Sequence, residues 1–198
     1  MSLIIALAGS REAVIGGDRR CITFLGGCAE LEDELYSGRI RNDRELLAKA
    51  KALSATLQVS DGKDKVWRRG DLLVGEVTEI SSQQERRRRI YLTPGASLEV
   101  DITGNEARIR AHGGIGCVVF GNRFTQELAG SSVASNGGRV NEGLIRSIFA
   151  LAGERTASVS REHVILKSDI KPFDPGAALQ KALVEDCQKI GWRLCDPQ

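Results

Sequence analysis

The first twenty residues constrain the fold of this chain more than any other stretch. Two short apolar runs, Leu3–Ala8 and Ala13–Gly17, flank the turn-like sequence Gly9-Ser10-Arg11-Glu12. Neither run alternates between polar and apolar residues, which is the pattern of strands that are buried on both faces. The stretch therefore predicts a β-hairpin inside a covered sheet, and the polar sequence Asp18-Arg19-Arg20 follows its second strand.

The rest of the chain reads as groups of strands and groups of helices. Strands are predicted at Cys21–Leu25, Thr56–Val59, Leu72–Val77, Ser97–Thr103, Ala107–Ala111 and Ser158–Leu166, and His112–Phe120 is predicted to be a glycine-rich segment followed by a buried strand. Helices are predicted at Ala29–Tyr36, Asp43–Ser54, Arg123–Ala129, Asn141–Ala152 and Pro175–Ile190. No internal repeat or long linker interrupts this order. It predicts a single α+β domain over residues 1–198, with a helical insertion at about residues 29–55.

Composition limits the function classes. The chain has 198 residues, a net charge of only +2 and 5% aromatic residues, which argues against a nucleic-acid-binding surface. No apolar run is long enough to span a bilayer, so we expect a cytoplasmic protein without membrane insertion. The five cysteines lack metal-ligand spacing and only two histidines are present, so neither a metal site nor a cofactor is predicted.

Three isolated features allow more than one interpretation. The basic run Arg86–Arg89 could be a solvated strand face, a contact for acidic peptide side chains or a nucleic-acid patch. His112 precedes a glycine-rich turn and is predicted to lie in a loop. His163 occupies an alternate position of a predicted strand, which favours a packing role.

The opening pattern, Ser2 followed by two apolar strands and Gly17-Asp18-Arg19-Arg20, resembles the start of proteasome β subunits and other N-terminal nucleophile hydrolases. In those proteins the mature chain begins with Thr, Ser or Cys, and a strand-ending Gly-Asp-x-Arg follows about sixteen residues later. Further segments resemble the connectase family, which are archaeal proteasome-like protein ligases. These segments are ELYSG (residues 34–38), GDLLVGEV (70–77), RRRRIYLTPG (86–95) and VVFGN (118–122). The resemblance implies a four-layer αββα sandwich of two antiparallel sheets covered by helices.

The resemblance also implies a catalytic set. Removal of Met1 would make Ser2 the N-terminal nucleophile, with its own α-amino group as general base. Asp18 would orient Ser2, and Arg20 would anchor the Asp18 carboxylate, whereas Arg19 matches the family pattern less well. Gly75 in LLVGEV would supply a backbone N–H to the oxyanion of the tetrahedral intermediate.

Three departures from the proteasome pattern argue against a processive protease. By position Glu34 lies nearest the usual lysine, so that lysine is expected to be missing. Ile115 replaces a serine between two glycines, and Arg155-Thr156-Ala157-Ser158 lacks the aspartate of a later element. The C-terminal domain of longer family members is also expected to be absent.

The resemblance implies an ATP-independent transpeptidase. Ser2 would take an acyl group from a Lys-Asp-Pro-Gly-Ala type motif in a protein substrate and pass it to another peptide amine. The alternatives are a non-catalytic peptide-binding protein and a plain N-terminal serine peptidase or amidohydrolase. A monomer or small oligomer is expected rather than a proteasome ring. The chain's own Asp174-Pro175-Gly176-Ala177 echoes the motif, but Asp-Pro-Gly is also common at helix starts.

Overall fold

A computed structural model describes residues 3–80 and 85–195 of the chain. Its strands are β1 (Ile4–Ala8), β2 (Ala13–Asp18), β3 (Cys21–Leu25), β4 (Thr56–Ser60), β5 (Val66–Arg69), β6 (Leu72–Ile80), β7 (Glu85–Thr93), β8 (Ala96–Thr103), β9 (Glu106–Gly113), β10 (Gly116–Phe120), β11 (His163–Ser168) and β12 (Arg193–Cys195). Its helices are α1 (Ala29–Tyr36), α2 (Asp43–Ala52), α3 (Arg123–Ser135), α4 (Glu142–Arg155) and α5 (Pro175–Ile190). The chain is therefore an α+β protein, as predicted.

The described strands form three sheets. The four-stranded sheet has the order β10-β1-β2-β11, the six-stranded sheet has the order β12-β9-β8-β7-β6-β5, and β3 pairs with β4. Contacts divide the chain into two compact units. Among the described residues, unit 1 comprises 3–4, 16–65 and 119–164, and unit 2 comprises 5–15, 66–80, 85–118 and 165–195.

Unit 1 contains the predicted helical insertion. Asn42 caps α2 by accepting a hydrogen bond from the backbone N–H of Glu45, as its position before the helix predicts. Lys49 of α2 pairs with Glu30 and Glu34 of α1. The apolar sides of both helices pack with β3 and β4 in one cluster, whose fully buried members include Leu31, Leu35, Ile40, Leu46 and Ala50.

Unit 2 is built on the six-stranded sheet. β8 alternates as predicted, with Leu98, Val100 and Ile102 fully buried. The turn to β9 contains Gly104 at φ +57°, a left-handed conformation that glycine adopts without steric cost. α5 packs on this sheet through a cluster that includes Leu179, Leu183 and Trp192.

Several predicted bounds were wrong. The late strand was predicted at Ser158–Leu166, but β11 begins at His163, because the backbone N–H groups of Ser158 and Ser160 bind side chains instead of a strand partner. α3 was predicted to end at Ala129, but it continues to Ser135. The helix continues through Gly130, because one glycine costs a helix interior only about 1 kcal/mol.

Candidate functional site

Asp18 is the last residue of β2, and its carboxylate is completely buried in unit 1. Oδ1 accepts hydrogen bonds from the backbone N–H of Leu3 at 2.8 Å and from Nζ of Lys65 at 2.7 Å. Oδ2 accepts from the backbone N–H groups of Arg20 at 2.8 Å and Ser160 at 3.3 Å. Four donors occupy the acceptor positions that an ionised carboxylate offers, so they fix the orientation of the group.

Lys65 is the residue that the sequence analysis missed. It directly precedes β5, only 3% of it is exposed, and its Nζ also donates to the backbone carbonyl of Arg20 at 2.6 Å. The expectation that no lysine stands at this site was therefore wrong. Glu34, which the resemblance placed nearest, belongs to α1 and accepts a hydrogen bond from Lys49 at 2.8 Å.

Burial lowers the pKa of Lys65 from its ordinary value, because removal from water disfavours the charged amine, while the adjacent Asp18 opposes that effect. A lysine with a lowered pKa releases its proton more readily near neutral pH than an exposed lysine does. A buried carboxylate and such an amine can together hold and move a proton, which is a requirement of general acid–base chemistry.

Arg20 contacts Asp18 through its backbone rather than through its guanidinium. The guanidinium, with a side-chain exposure of only 7%, binds two other carboxylates. Its Nε and Nη2 atoms donate to Asp61 at 2.7 and 3.0 Å, and its Nη1 donates to Asp43 and to the carbonyl of Ala157. Anchoring of Asp18 by Arg20 is thus a main-chain effect that the side-chain ion pairs support.

Arg19 lies outside this buried cluster. Its side chain is 32% exposed and pairs with Asp64 at 3.0 Å and with Glu162 at 3.3 Å, and both carboxylates are mostly exposed. Ion pairs of this kind contribute little to stability. The structure therefore distinguishes the two adjacent arginines by burial.

Ser2, the predicted nucleophile, lies outside the described residues. Its neighbour Leu3 is completely buried and is held to Asp18 by two hydrogen bonds. The Leu3 N–H donates to Oδ1, and the Asp18 N–H donates to the Leu3 carbonyl at 3.1 Å. The first described residue, Leu3, is thus hydrogen-bonded to the residue that carries the candidate carboxylate.

Gly75 belongs to unit 2. It lies in β6, opposite Val66 of β5 and opposite Ile90 of β7, so a strand flanks it on each side. Its role as an oxyanion donor remains a prediction. Ser158, from the element that lacks its aspartate, is buried in unit 1, where its hydroxyl accepts a hydrogen bond from Asn122 at 3.0 Å.

The basic run is not one solvated face. Arg86 and Arg88 both bind Asp101, whereas Arg87 and Arg89 both lie over the ring of Trp192. Alternation along β7 explains this division, since successive side chains of a strand point to opposite faces. Arg89 is only 6% exposed, so the interpretation as a solvated face was wrong for this residue.

The two histidines differ in position. His163 stacks on Phe149 with ring centroids 5.2 Å apart, which confirms its predicted packing role. His112 was predicted to lie in a loop, but it belongs to β9 and is paired opposite Leu98. The glycines that suggested a loop follow it at the end of that strand.

Within residues 3–80 and 85–195, no three His, Cys, Asp or Glu side chains come together in a group that could hold a metal ion. In the same part of the chain, every helix is too short or too polar to cross a membrane. None of the described buried side-chain nitrogen or oxygen atoms lacks a hydrogen-bond partner, so the buried polar groups around Asp18 are all paired.

Comparison with known proteins gives a family. A search of curated proteins found no match. Among solved structures, the chain is similar to a Gly-1 mutant of Anbu from Hyphomicrobium sp. strain MC1, with 8% identity, 96% of each chain covered and a TM-score of 0.46. A family model described as "Connectase MJ0548-like, N-terminal domain" matches residues 1–188. That match covers nearly the whole chain, and the protein therefore belongs to the connectase N-terminal domain family.

Proposed function

We propose that this protein is an ATP-independent peptide transpeptidase whose nucleophile is Ser2, exposed by removal of Met1. The observation that carries the proposal is the buried Asp18–Lys65 ion pair, whose Asp18 carboxylate accepts a hydrogen bond from the backbone N–H of Leu3, the residue after Ser2. Membership of the connectase family supports it. The proposal also includes the four-layer αββα arrangement and a cytoplasmic location.

The chemistry proceeds in two steps. The hydroxyl oxygen of Ser2 attacks a peptide carbonyl of the substrate while its proton passes to the α-amino group of the same residue. The tetrahedral intermediate collapses to an ester on Ser2, and the departing amine takes that proton. The amine of a second peptide then attacks the ester, forms the new peptide bond and returns the hydroxyl to Ser2. No ATP is consumed, because one peptide bond replaces another.

The remaining residues would assist this cycle. Asp18 would hold the backbone of Leu3 and so position the free amine of Ser2, and Lys65, whose pKa burial lowers, would give up a proton more readily than an exposed lysine. Gly75 would donate its backbone N–H to the oxyanion, an interaction worth about 2.7–4 kcal/mol in acyl transfer. The substrate would be a Lys-Asp-Pro-Gly-Ala type segment of a partner protein, bound by a monomer or small oligomer.

The first experiment determines the N-terminus. Intact mass spectrometry of the purified, untagged protein is expected to give the mass of the chain without Met1. A mass that retains Met1 would contradict the proposed mechanism, because an acylated amine cannot serve as the general base.

The second experiment tests the acyl-enzyme. Incubation with a Lys-Asp-Pro-Gly-Ala peptide is expected to add the mass of the acyl fragment to the protein. Ser2→Ala is expected to abolish the adduct, whereas Ser10→Ala, at the exposed turn between β1 and β2, is expected to retain it. Wild-type protein that never forms an adduct would favour a non-catalytic binding protein.

A second peptide with a free amine separates ligation from hydrolysis. The ligase proposal predicts a product that joins the acyl fragment to this second peptide, in a yield that rises with its concentration. An adduct that decays only to the free acid would instead identify a serine peptidase or amidohydrolase.

A further inference from the structure

A cleft within unit 2 lies between β5 and α5. It has a volume of about 670 Å³, and its walls include Trp67 and Arg69 of β5 and Ala178 and Ala182 of α5. Ligand sites in proteins commonly have volumes of about 300–1,000 Å³. The two alanines lie four residues apart on one face of the helix, and their short side chains leave the space beside the strand open.

One wall of the cleft is the edge of a sheet. β5 stands at the end of the order of the six-stranded sheet, with β6 as its described strand partner. Trp67 and Arg68 both line the cleft, although successive side chains of a strand point to opposite faces, so the cleft runs along the strand edge. The backbone groups of such an edge can pair with an extended peptide, which is a common mode of peptide recognition.

The charges of the cleft favour an acidic ligand. Its lining carries more cations than carboxylates, namely Arg68, Arg69, Lys181 and Lys189 against Glu185 and Asp186. Positive charge therefore exceeds negative charge by two, in a protein whose net charge over the whole chain is also only +2. The excess at this one place is what an acidic ligand would recognise.

Both carboxylates of the cleft are already bound to cations. Asp186 is 8% exposed and binds Arg69 and Arg89. Glu185 accepts a hydrogen bond from Arg69 at 2.8 Å and lies 3.9 Å from Nζ of Lys181. The two carboxylates thus fix the guanidinium of Arg69 at the cleft, so that one cationic group is already in place before a ligand binds.

Arg68 and Lys189 supply the excess positive charge. Both residues are exposed. Arg68 donates a hydrogen bond to the backbone carbonyl of Lys167, and a guanidinium has five N–H donors, so others remain for a ligand. Carboxylates are suitable partners for both groups, because charge-assisted hydrogen bonds are the stronger ones.

We propose that this cleft binds an extended peptide segment with two or more acidic side chains. The lined face of α5, from Ala178 to Lys189, is about 16 Å long. About five residues of an extended chain cover that length. The backbone of the segment pairs with the edge of β5, and its carboxylates bind Arg68 and Lys189. This binding goes beyond the acyl transfer proposed for Ser2 and does not depend on it.

A peptide fits this cleft better than a single-stranded nucleic acid does. Bases bind by stacking on aromatic side chains. Trp67 is the one aromatic residue among the described residues that line the cleft, and the guanidinium of Arg89 already lies 5.3 Å from the centre of its ring.

Fluorescence anisotropy with the full-length protein and a labelled peptide of five consecutive glutamates measures the binding. The control peptide has glutamines at those five positions. The glutamate peptide is expected to bind at least about tenfold more tightly, with an affinity that falls as the salt concentration rises. Equal affinities for the two peptides would overturn the proposal.

Charge variants locate the binding. Arg68→Gln and Lys189→Gln are each expected to weaken it about threefold, and the double variant about tenfold. Arg123→Gln removes the same charge from a side chain of α3 that is 90% exposed, and it is expected to change the affinity by less than about 1.5-fold. Equal losses in Arg68→Gln and Arg123→Gln would overturn the proposal, because the peptide would then respond only to overall charge.

Ala178→Trp tests the shape of the cleft, because it fills the space and removes no charge. It is expected to weaken binding about tenfold or more, with circular dichroism to check that the variant folds. The indole N–H signal of Trp67, assigned by its loss in Trp67→Phe, gives an independent test in the wild-type protein and is expected to shift when the glutamate peptide is added. An unchanged affinity in folded Ala178→Trp or an unmoved Trp67 signal would overturn the proposal. Tighter binding of a single-stranded oligonucleotide of equal charge, weakened by the same variants, would also overturn it.

Discussion

Nζ of Lys65 lies 2.7 Å from Oδ1 of Asp18, with side-chain exposures of 1% and 0%. The two residues are 47 positions apart in the chain and meet in the interior of unit 1. Neither charge has access to water, so each depends on the other and on the surrounding backbone groups. Substitution of either residue is therefore expected to change the free energy of unfolding as well as the activity.

Lys65→Met is expected to lower the free energy of unfolding by about 3–5 kcal/mol, because it leaves the Asp18 carboxylate buried without its cation. Denaturant unfolding measures this loss. Lys63→Met removes the same charge from an exposed position two residues earlier and is expected to change stability by no more than about 0.5 kcal/mol. Similar losses in both variants would contradict a special role for Lys65.

The pH dependence of stability follows from the same lysine. Its pKa in the folded protein is lower than its ordinary value of 10.5, so the unfolded chain binds more protons at pH values between the two. Stability contributed by this group therefore rises as the pH rises through that interval. As the pH rises toward 10.5, unfolding free energies should increase more steeply in the wild type than in Lys65→Met; equal slopes would refute the lowered pKa.

A substitution at Gly16 of β2 tests how closely this strand packs against α4. A Cβ atom at this position would lie 2.5 Å from Cε2 of Phe149 in α4 and 3.2 Å from Cγ2 of Ile145. Gly16→Ala should therefore destabilise the protein by about 1–3 kcal/mol through overpacking, as measured by thermal or denaturant unfolding. Gly62→Ala is the control, since nothing lies within 4 Å of its added Cβ. A neutral Gly16→Ala would show that α4 moves aside freely.

Arg89 provides the corresponding test in unit 2. Its side chain is 8% exposed and pairs with Glu76 and Asp186, each at 2.7 Å, and Asp186 also accepts a hydrogen bond from Tyr91 at 2.6 Å. Arg89→Met should cost about 3–5 kcal/mol, because the largely buried Glu76 loses its cation and Asp186 loses one of its two, keeping Arg69. Arg86→Met, three residues earlier with 49% side-chain exposure, should cost less than about 1 kcal/mol. Equal costs would contradict the distinction between the two.

Local patterns were enough to predict much of the fold. The apolar runs around Gly9-Ser10-Arg11-Glu12 predicted β1 and β2, and the alternation of Leu98, Val100 and Ile102 predicted β8. Asp18 was singled out because Gly-Asp-x-Arg at the end of the second strand resembles the N-terminal nucleophile pattern, and its role in a site stays a prediction. These predictions depend on residues that are close in sequence, for which periodicity and turn composition are informative.

The partners of Asp18 could not be predicted in the same way. Lys65 approaches from the loop before β5, and Ser160 from the segment after α4, so both contacts depend on tertiary packing. The direction of the Arg20 guanidinium toward Asp43 and Asp61 likewise follows from the position of the helical insertion. A lysine directly before the apolar strand residue Val66 was the only local signal, and it does not identify a partner.

The double hydrogen bond between Leu3 and Asp18 has a practical consequence for work with this protein. Consecutive Cα atoms are about 3.8 Å apart, so a residue attached ahead of Leu3 starts within one such step of a fixed backbone position. A purification tag fused before Ser2 would acylate the α-amine that the proposed mechanism uses as its general base. Tags for binding or kinetic measurements on this protein are therefore better placed at the other end of the chain.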